Sequence, residues 1–204
     1  MELKEKHPDR LDQLAEILSS IFHPFVVIIL TMILATAGQG KYVGQALFWT
    51  ILSICVVILP LTYVIYSKVR TGQYSDASVS IREQRHGLYG LAGFLFIVLI
   101  AILILGKAPR GFLAGTLAGG LALTIAFLIN RRYTKISLHS MGISVCAAIL
   151  LLNLPRMGML LGLFIPAVGW ARIRLGHHTL PQVLIGFAVA VASVVLVFRL
   201  FDLP

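Results

Sequence analysis

The sequence predicts an all-α fold, a polytopic membrane helix bundle of about six to seven transmembrane helices. Hydrophobic residues make up 58% of the 204 residues and charged residues only 12%. The mean hydropathy of +0.93 is far above that of an ordinary soluble domain. Most of the chain falls into apolar windows of about 20 residues, and each can cross a hydrocarbon core roughly 30 Å thick as a helix.

Seven apolar segments follow one another along the chain, at residues 17–37, 44–67, 87–106, 111–130, 138–153, 156–170 and 181–200. Pro155 in "NLPR" ends the fifth segment, because proline lacks an amide hydrogen and disfavours helical geometry at the residue before it. The stretch "GKAPRG" turns the third segment into the fourth by the same effect. The fourth is rich in Gly and Ala, which is typical of close helix packing in lipid. We predict a single integral membrane domain over residues 1–204.

Cysteine usage and net charge exclude two other classes of function. Cys55 and Cys146 each lie alone in an apolar window, so neither a disulfide framework nor a thiolate metal site is indicated. The formal net charge of +9 comes from 17 basic residues scattered over short interhelical loops. Without a soluble domain to carry a basic face, they do not indicate a nucleic-acid partner. Membrane lipids with anionic headgroups are the predicted partners.

Three polar islands interrupt the apolar pattern, at residues 67–87, 130–140 and 171–182. Two predicted helices separate the first island from the second, and two separate the second from the third. An even number of crossings returns the chain to the same face of the membrane. We therefore expect the three islands to meet at one surface, where they can form a composite site.

Basic residues favour the island face, where twelve of them fall, against five on the opposite face. Those on the island face are Lys4, Lys6, Arg10, Lys68, Arg70, Arg82, Arg85, Arg131, Arg132, Lys135, Arg172 and Arg174. Those opposite are Lys41, Lys107, Arg110, Arg156 and Arg199. By the positive-inside rule the islands are cytoplasmic. The predicted location is the plasma membrane of a prokaryote.

Arginine and histidine gathered at a membrane surface, with few carboxylates nearby, indicate a site for an anion. An arginine fork binds two phosphate oxygens at once and stays charged. One histidine can attack phosphorus while a second protonates the leaving alkoxide. The pattern favours hydrolysis of a phosphoester at a lipid headgroup through a phosphohistidine.

The third island, "ARIRLGHHTLPQ", resembles a signature of the type 2 phosphatidic acid phosphatase superfamily, written S-R-x5-H-x3-D. Ala171 stands for Ser, Arg172 for Arg, His178 for His and Gln182 for Asp. The order and spacing agree at every position. The resemblance covers roughly residues 68–200.

The other two islands are similar to the remaining signatures, P-S-G-H and K-x6-R-P. In "ISLH", Ser137 and His139 take the Ser and His positions. In "SVSIREQRH", Arg85 takes the Arg position, and Ser78 stands where the family has Lys. Arg82, one helical turn before Arg85, is a candidate to supply the missing positive charge.

The resemblance implies a role for each matched residue. His178 would be the nucleophile and His139 the acid that protonates the leaving group. Arg85, Arg172 and Ser137 would hold the phosphoryl oxygens, with amides at the start of the fifth helix adding donors. Enzymes of this kind need no metal or other cofactor.

Gln182 is the main departure, because the family has an Asp there that orients the nucleophilic imidazole. Replacing the orienting Asp of a serine protease triad by Asn costs about 10⁴ in turnover. No Asp or Glu occurs between Glu83 and Asp202, so a substitute carboxylate would have to be Asp76 or Glu83. Of these, Glu83 is interpreted as an ion-pair partner of the neighbouring arginines.

The sequence as a whole predicts a membrane lipid phosphatase acting on a phosphomonoester or pyrophosphate. Candidate substrates are phosphatidic acid, phosphatidylglycerophosphate and polyprenyl phosphates. The alternative is a catalytically weakened protein of the same fold that binds or translocates a phosphorylated lipid. Gln182 and the missing Lys favour the alternative, whereas both histidines and Arg172 favour the enzyme.

Overall fold

The computed structural model describes residues 9–37 and 43–203, which form helices and connecting loops without β-strands. In chain order the helices are α1 (Arg10–Ile21), α2 (Pro24–Ala37), α3 (Val43–Ser53), α4 (Leu59–Arg70), α5 (Arg85–Leu105), α6 (Arg110–Arg132), α7 (Leu138–Asn153), α8 (Pro155–Gly162), α9 (Phe164–Arg174) and α10 (Leu180–Leu200). A π-helical turn at Ile54–Ile58 joins α3 to α4.

Five helices of the described residues are long and apolar enough to cross a membrane, and they are Val43–Arg70, Arg85–Leu105, Arg110–Arg132, Pro155–Arg174 and Leu180–Leu200. Helices α1 and α2 make a sixth span if they are taken together, with a bend of 47° between them. Helix α7 is apolar but shorter. The predicted all-α membrane bundle is confirmed, and the chain is an integral membrane protein. Lys4, Lys6 and Lys41, used in the topology argument, lie outside the described residues.

The predicted segments match the helices except at two boundaries. Helix α1 begins at Arg10, before the first predicted segment, and a bend at His23 separates it from α2. The sixth segment continues as α9 to Arg174, so Arg172 lies inside a helix rather than in a loop. Hydropathy misses these turns because they carry charged residues that still belong to the helix.

Helix α1 is amphipathic and lies against the end of α9. Asp9 caps it by accepting a hydrogen bond from the amide of Asp12. Leu14 and Ile17 are exposed on its outer side, whereas Ala15 and Ser19 are buried. The outer side therefore faces lipid or the interface, and the inner side packs on the bundle.

Helix α7 is the centre of the bundle. It packs against α2, α8, α9 and α10, and every residue from His139 to Ala147 is buried. Such a helix needs small or apolar residues on all sides, and Gly142 meets this need where Pro24 approaches it. Ser137 caps α7 by accepting a hydrogen bond from the amide of Ser140.

Small residues set the spacing around α7. On α6, a stripe of fully buried alanines packs in one apolar cluster with residues of α7 and α10, at Ala114, Ala118, Ala122 and Ala126. On α10, a Cβ at Gly186 would lie 2.9 Å from the carbonyl oxygen of Ser137. The start of α10 therefore lies directly against the start of α7, and this contact brings the third island to the second.

Candidate anion-binding site

The three polar islands are joined by hydrogen bonds at one end of the bundle. Arg82 Nε donates to the carbonyl of Asn130 at 2.7 Å, and Lys135 Nζ donates to the carbonyl of Ser80 at 2.9 Å. Both bonds link the first island to the second. The side chain of Gln182, from α10, links the third island to the second. The predicted site residues thus lie in one region.

The end of α9 sets the spacing between Arg172 and His178. The carbonyl of Arg172 accepts the amides of His177 and His178, both at 3.1 Å, and the amide of Gly176 donates to Ile173. This is a Schellman cap, which requires the left-handed conformation seen at Gly176, with φ of +69°. The cap folds the chain back so that His178 returns beside the last turn of α9.

Gln182 fixes the tautomer of His178. Its Oε1 accepts a hydrogen bond from the amide of Thr179 at 3.2 Å and lies 3.1 Å from His178 Nδ1. Its Nε2 donates to Thr134 Oγ1 at 3.0 Å. Because a backbone amide can only donate, Oε1 faces His178 and Nδ1 must carry the proton. His178 Nε2 then has a free lone pair, as a nucleophile requires.

His178 is held in its neutral form. Burial, followed by the positive charges of Arg85, Arg172 and Lys135, lowers the pKa of His178 to about 3, and the hydrogen bond that His178 donates to Gln182 opposes this only in part. The imidazole is therefore unprotonated at neutral pH. A carboxylate next to Nδ1 would instead favour the protonated ring.

Arg172 is almost fully buried, with 1% of its surface exposed. Its Nη1 donates to Ser19 Oγ of α1 at 2.6 Å, but Nε and Nη2 have no hydrogen-bond partner. It forms no ion pair with a carboxylate of the described residues. A buried guanidinium with two unpartnered donor atoms and no carboxylate of the described residues in contact is suited to bind an oxyanion.

Arg85 is buried to the same degree and is held by backbone carbonyls. Its Nε donates to Val79 at 2.7 Å and its Nη1 to Ile136 at 2.8 Å. Val79 is buried and has a φ of +48°, a region that β-branched residues rarely adopt. This strained turn aims a carbonyl at Arg85. The first and second islands thus hold one guanidinium between them.

His139 lies at the start of α7, buried, and its Nε2 has no hydrogen-bond partner. The ring of His23, from the bend between α1 and α2, lies edge-on to it with the ring centroids 5.3 Å apart. The amide of Phe25 donates to His23 Nδ1 at 3.4 Å. The neutral His23 therefore carries its proton on Nε2.

Two of the predicted phosphate ligands, Arg82 and Ser137, are placed differently from the buried arginines. Arg82 is half-buried and faces an outer cavity rather than the pocket of Arg85. Ser137 Oγ accepts hydrogen bonds from the amide and the hydroxyl of Ser140, which is its role as the cap of α7.

Compared with known proteins, the chain matches no family model, no curated protein and no solved structure. The resemblance to the type 2 phosphatidic acid phosphatases therefore depends on the motif residues and on where they lie.

The site lies between two cavities of different character. The outer cavity, of about 390 Å³, opens to solvent and is lined by polar and basic groups that include Arg82, Lys135 and His177. The inner cavity, of about 550 Å³, extends into the bundle and includes His139 and Arg85 at one end. An amphiphile with a charged head and an apolar body fits between such surroundings.

Within residues 9–37 and 43–203, no carboxylate takes the place of the Asp that the resembled family has at the position of Gln182. Asp76 accepts hydrogen bonds from the hydroxyls of Ser75 and Ser80 and from the amide of Ser80, so it holds its own loop together. Glu83 is exposed and pairs with neither neighbouring arginine, so its interpretation as their ion-pair partner is wrong. The arginines turn instead to backbone carbonyls.

Three residues that the motifs did not assign to the site also belong to it. Ser19 reaches Arg172, His23 reaches His139, and Lys135 lines the outer cavity. Ser19 and His23 belong to the first apolar segment, outside the motif region. Only His23 carried a signal, since an ionisable residue in an apolar segment usually has an internal partner.

Proposed function

We propose that this protein is a metal-independent membrane lipid phosphatase of the type 2 phosphatidic acid phosphatase kind, working through a phosphohistidine on His178. The observation that carries the proposal is the neutral His178, with Nδ1 held by Gln182 and Nε2 free. It stands beside Arg172, which has two free buried donors. An anion site would need only the arginine, whereas a fixed tautomer is what a nucleophile needs.

In the first step, His178 Nε2 attacks the phosphorus and the bond from phosphorus to the lipid oxygen breaks. Arg172 and Arg85 stabilise the negative charge on the phosphoryl oxygens as the bond breaks. His139, which takes up a proton when the phosphate dianion binds beside it, gives this proton to the leaving alkoxide, so the lipid departs as a neutral alcohol.

In the second step, water attacks the phosphorus of the phosphohistidine. His139, now unprotonated, accepts a proton from this water, and the bond from phosphorus to His178 breaks. Inorganic phosphate is released and both histidines return to their starting forms. The open, basic outer cavity supports an exit for phosphate on the solvent side.

The positive-inside rule supports a cytoplasmic position for the site in the plasma membrane of a prokaryote. The lipid phosphate would then come from the cytoplasmic leaflet, with its headgroup at the three islands. Phosphatidic acid, phosphatidylglycerophosphate and polyprenyl phosphates or pyrophosphates all present such a headgroup.

Phosphate release from purified protein tests the proposal. We expect wild type to release phosphate from a panel of phospholipids and prenyl phosphates, and His178→Asn to release about 10³-fold less or none. His177→Asn is the matched control, since His177 is the adjacent histidine but lies in the outer cavity. Equal release by wild type and His178→Asn would reject the mechanism.

A second candidate is a protein that binds or translocates the lipid phosphate without cleaving it. It is favoured by Gln182, which orients His178 but supplies no negative charge to a phosphorylated imidazole. Rapid quenching with a radiolabelled lipid phosphate separates the two. Covalent label on His178 supports the phosphatase, and tight binding without label supports the alternative.

A further inference from the structure

The inner cavity is far larger than a phosphate group requires. Apart from His23, His139 and Arg85, its lining is mainly apolar, contributed by α2, the helix formed by α3 and α4, and helices α5, α6 and α7. It reaches Asn153 and Gly111 at the other end of the bundle.

The depth of this cavity exceeds one leaflet of a bilayer. Fourteen residues separate His139 from Asn153 along α7, and both line the cavity. At 1.5 Å per residue this is about 21 Å. One leaflet contributes about 15 Å, half of a hydrocarbon core of roughly 30 Å. A chain that filled the cavity would pass the middle of the membrane inside the protein.

The volume of the cavity suits one chain rather than two. An apolar cavity of roughly 150 Å³ holds one benzene molecule, so about 550 Å³ has room for about 20 carbon atoms. The two acyl chains of a diacyl phospholipid would have to place nearly twice as many carbon atoms in the cavity. A lipid with one long chain matches both the depth and the volume.

Small residues and an irregular helix make this room. Gly115 and Gly119 of α6 line the cavity, and a Cβ at Gly115 would already touch the side chain of Ile149 at 3.6 Å. On the opposite wall, Val57 and Ile58 lie in the π-helical turn. Such turns occur frequently at functional sites.

We infer that the inner cavity binds the single long hydrocarbon chain of a lipid phosphate, as in a polyprenyl phosphate, and that the protein discriminates against diacyl phospholipids. The inference rests on the proposed function, because the phosphate of that lipid is held by Arg85 at the mouth of the cavity. The buried arginines select for a charged headgroup, and the cavity selects for the number and length of the hydrocarbon chains.

The first experiment compares three substrates of the purified full chain. They are geranylgeranyl phosphate with one chain, dioleoyl phosphatidic acid with two, and phenyl phosphate with none. We expect kcat/KM to be at least about tenfold higher for the single chain than for the diacyl lipid, since each buried methylene contributes about fourfold to binding.

A cavity-filling variant, Gly115→Leu, sharpens this comparison. It should lower kcat/KM for geranylgeranyl phosphate by about tenfold or more and leave phenyl phosphate unchanged. Gly90→Leu on α5 is the matched control, because Gly90 is exposed and a Cβ there meets nothing within 4 Å. Equal rates on both lipids, or an unaffected Gly115→Leu, would overturn the inference while phenyl phosphate hydrolysis still upheld the proposed function.

A binding measurement keeps the inference testable if no substrate is hydrolysed. Wild type is irradiated with a geranylgeranyl phosphonate that carries a diazirine at the end of its chain. Label on the first turns of α6 or the last turn of α7, near Gly111 and Asn153, supports the inference. Label confined to outward-facing residues such as Phe94 rejects it, whatever the outcome for catalysis.

Discussion

At the scale of single residues, Gln182 takes over the orienting role of a carboxylate through geometry. Its amide is fixed at both ends, by Thr179 and by Thr134, so that its oxygen must accept from His178. An Asp would also stabilise a protonated ring, but the positive surroundings of His178 already make the neutral ring the resting form.

Gln182→Leu should therefore impair the proposed reaction severely. The substitution removes the acceptor that fixes the His178 tautomer. In a serine protease triad, replacing the Asp that orients the histidine costs about 10⁴ in turnover. Phosphate release measured under saturating lipid should fall by about 10²-fold or more. Gln182→Glu is the control, since it keeps an oxygen at the same place. A Leu variant as active as wild type would contradict the role of Gln182.

Gln182→Glu should also move the pH profile. In wild type the acid limb of kcat/KM due to His178 is expected at about pH 3, because burial and the neighbouring arginines lower its pKa to about 3. A glutamate next to Nδ1 favours the protonated ring and raises that pKa. The acid limb should shift to higher pH in the variant, and an unshifted limb would show that another group controls it.

Stability should depend on pH for the same reason. The pKa of His178 is about 3 in the folded protein against 6.5 for the free side chain, so between these values the unfolded chain binds more protons. Stability is then full above about pH 6.5 and decreases as the pH falls towards about 3. The thermal unfolding midpoint in detergent should drop between about pH 7.5 and about pH 5, and drop less in His178→Asn. Equal drops would exclude His178 as a cause.

At the scale of elements, the site depends on how closely α10 approaches α7. The amide of Ser137 donates to the carbonyl of Gln182 at 3.2 Å, and Gly186 lies over the carbonyl of Ser137. The two helix starts therefore hold His178 and His139 as one unit. The cap of α9 and the contact of Ser19 with Arg172 add the guanidinium to it.

Gly186→Ala should separate these two helix starts. Its Cβ would lie 2.9 Å from a backbone oxygen, so we expect a loss of about 1–3 kcal/mol in unfolding free energy and a lower rate of phosphate release. Gly162→Ala is the matched control, since a Cβ at Gly162 meets nothing within 4 Å. Similar behaviour of the two variants in thermal unfolding and phosphate assays would contradict this account.

Helix α1 contributes to the site although no sequence motif lies in it. Arg174 is bound to Asp9 at 2.6 Å and to Asp12 at 2.7 Å, which ties the start of α1 to the end of α9. The side chain of Arg174 is therefore bound by the two carboxylates at the start of α1. Its exposed ion pairs position α1, and Ser19 on the next turns reaches Arg172.

At the scale of the whole molecule, hydropathy and helix counting predict the bundle well. The seven apolar segments each become a helix or a broken helix because lipid allows only structures that satisfy their own backbone. The motif spacing also predicts that Arg172 and His178 belong to one site, and the helix cap at Gly176 brings them together. The contacts of Ser19 and His23, and the lack of an ion pair at Glu83, could not be predicted from the sequence, because they depend on which elements become neighbours in space.

The topology of the whole chain can be tested directly. With native Cys55 and Cys146 replaced by Ala, Tyr133→Cys should react with a membrane-impermeant maleimide only from the cytoplasmic side, and Asp202→Cys only from the opposite side. Tyr133 is exposed within the second island, whereas Asp202 follows α10 at the other end. The reverse labelling pattern would invert the predicted orientation.

The two cavities also have a consequence for kinetics. In the proposed hydrolysis, the alcohol is left in the apolar inner cavity and inorganic phosphate faces the basic outer one. The products part in opposite directions, one back to the bilayer and one to water. Product inhibition then has two separate sources, so that the enzyme would respond independently to the lipid composition of its membrane and to the phosphate level of the solution.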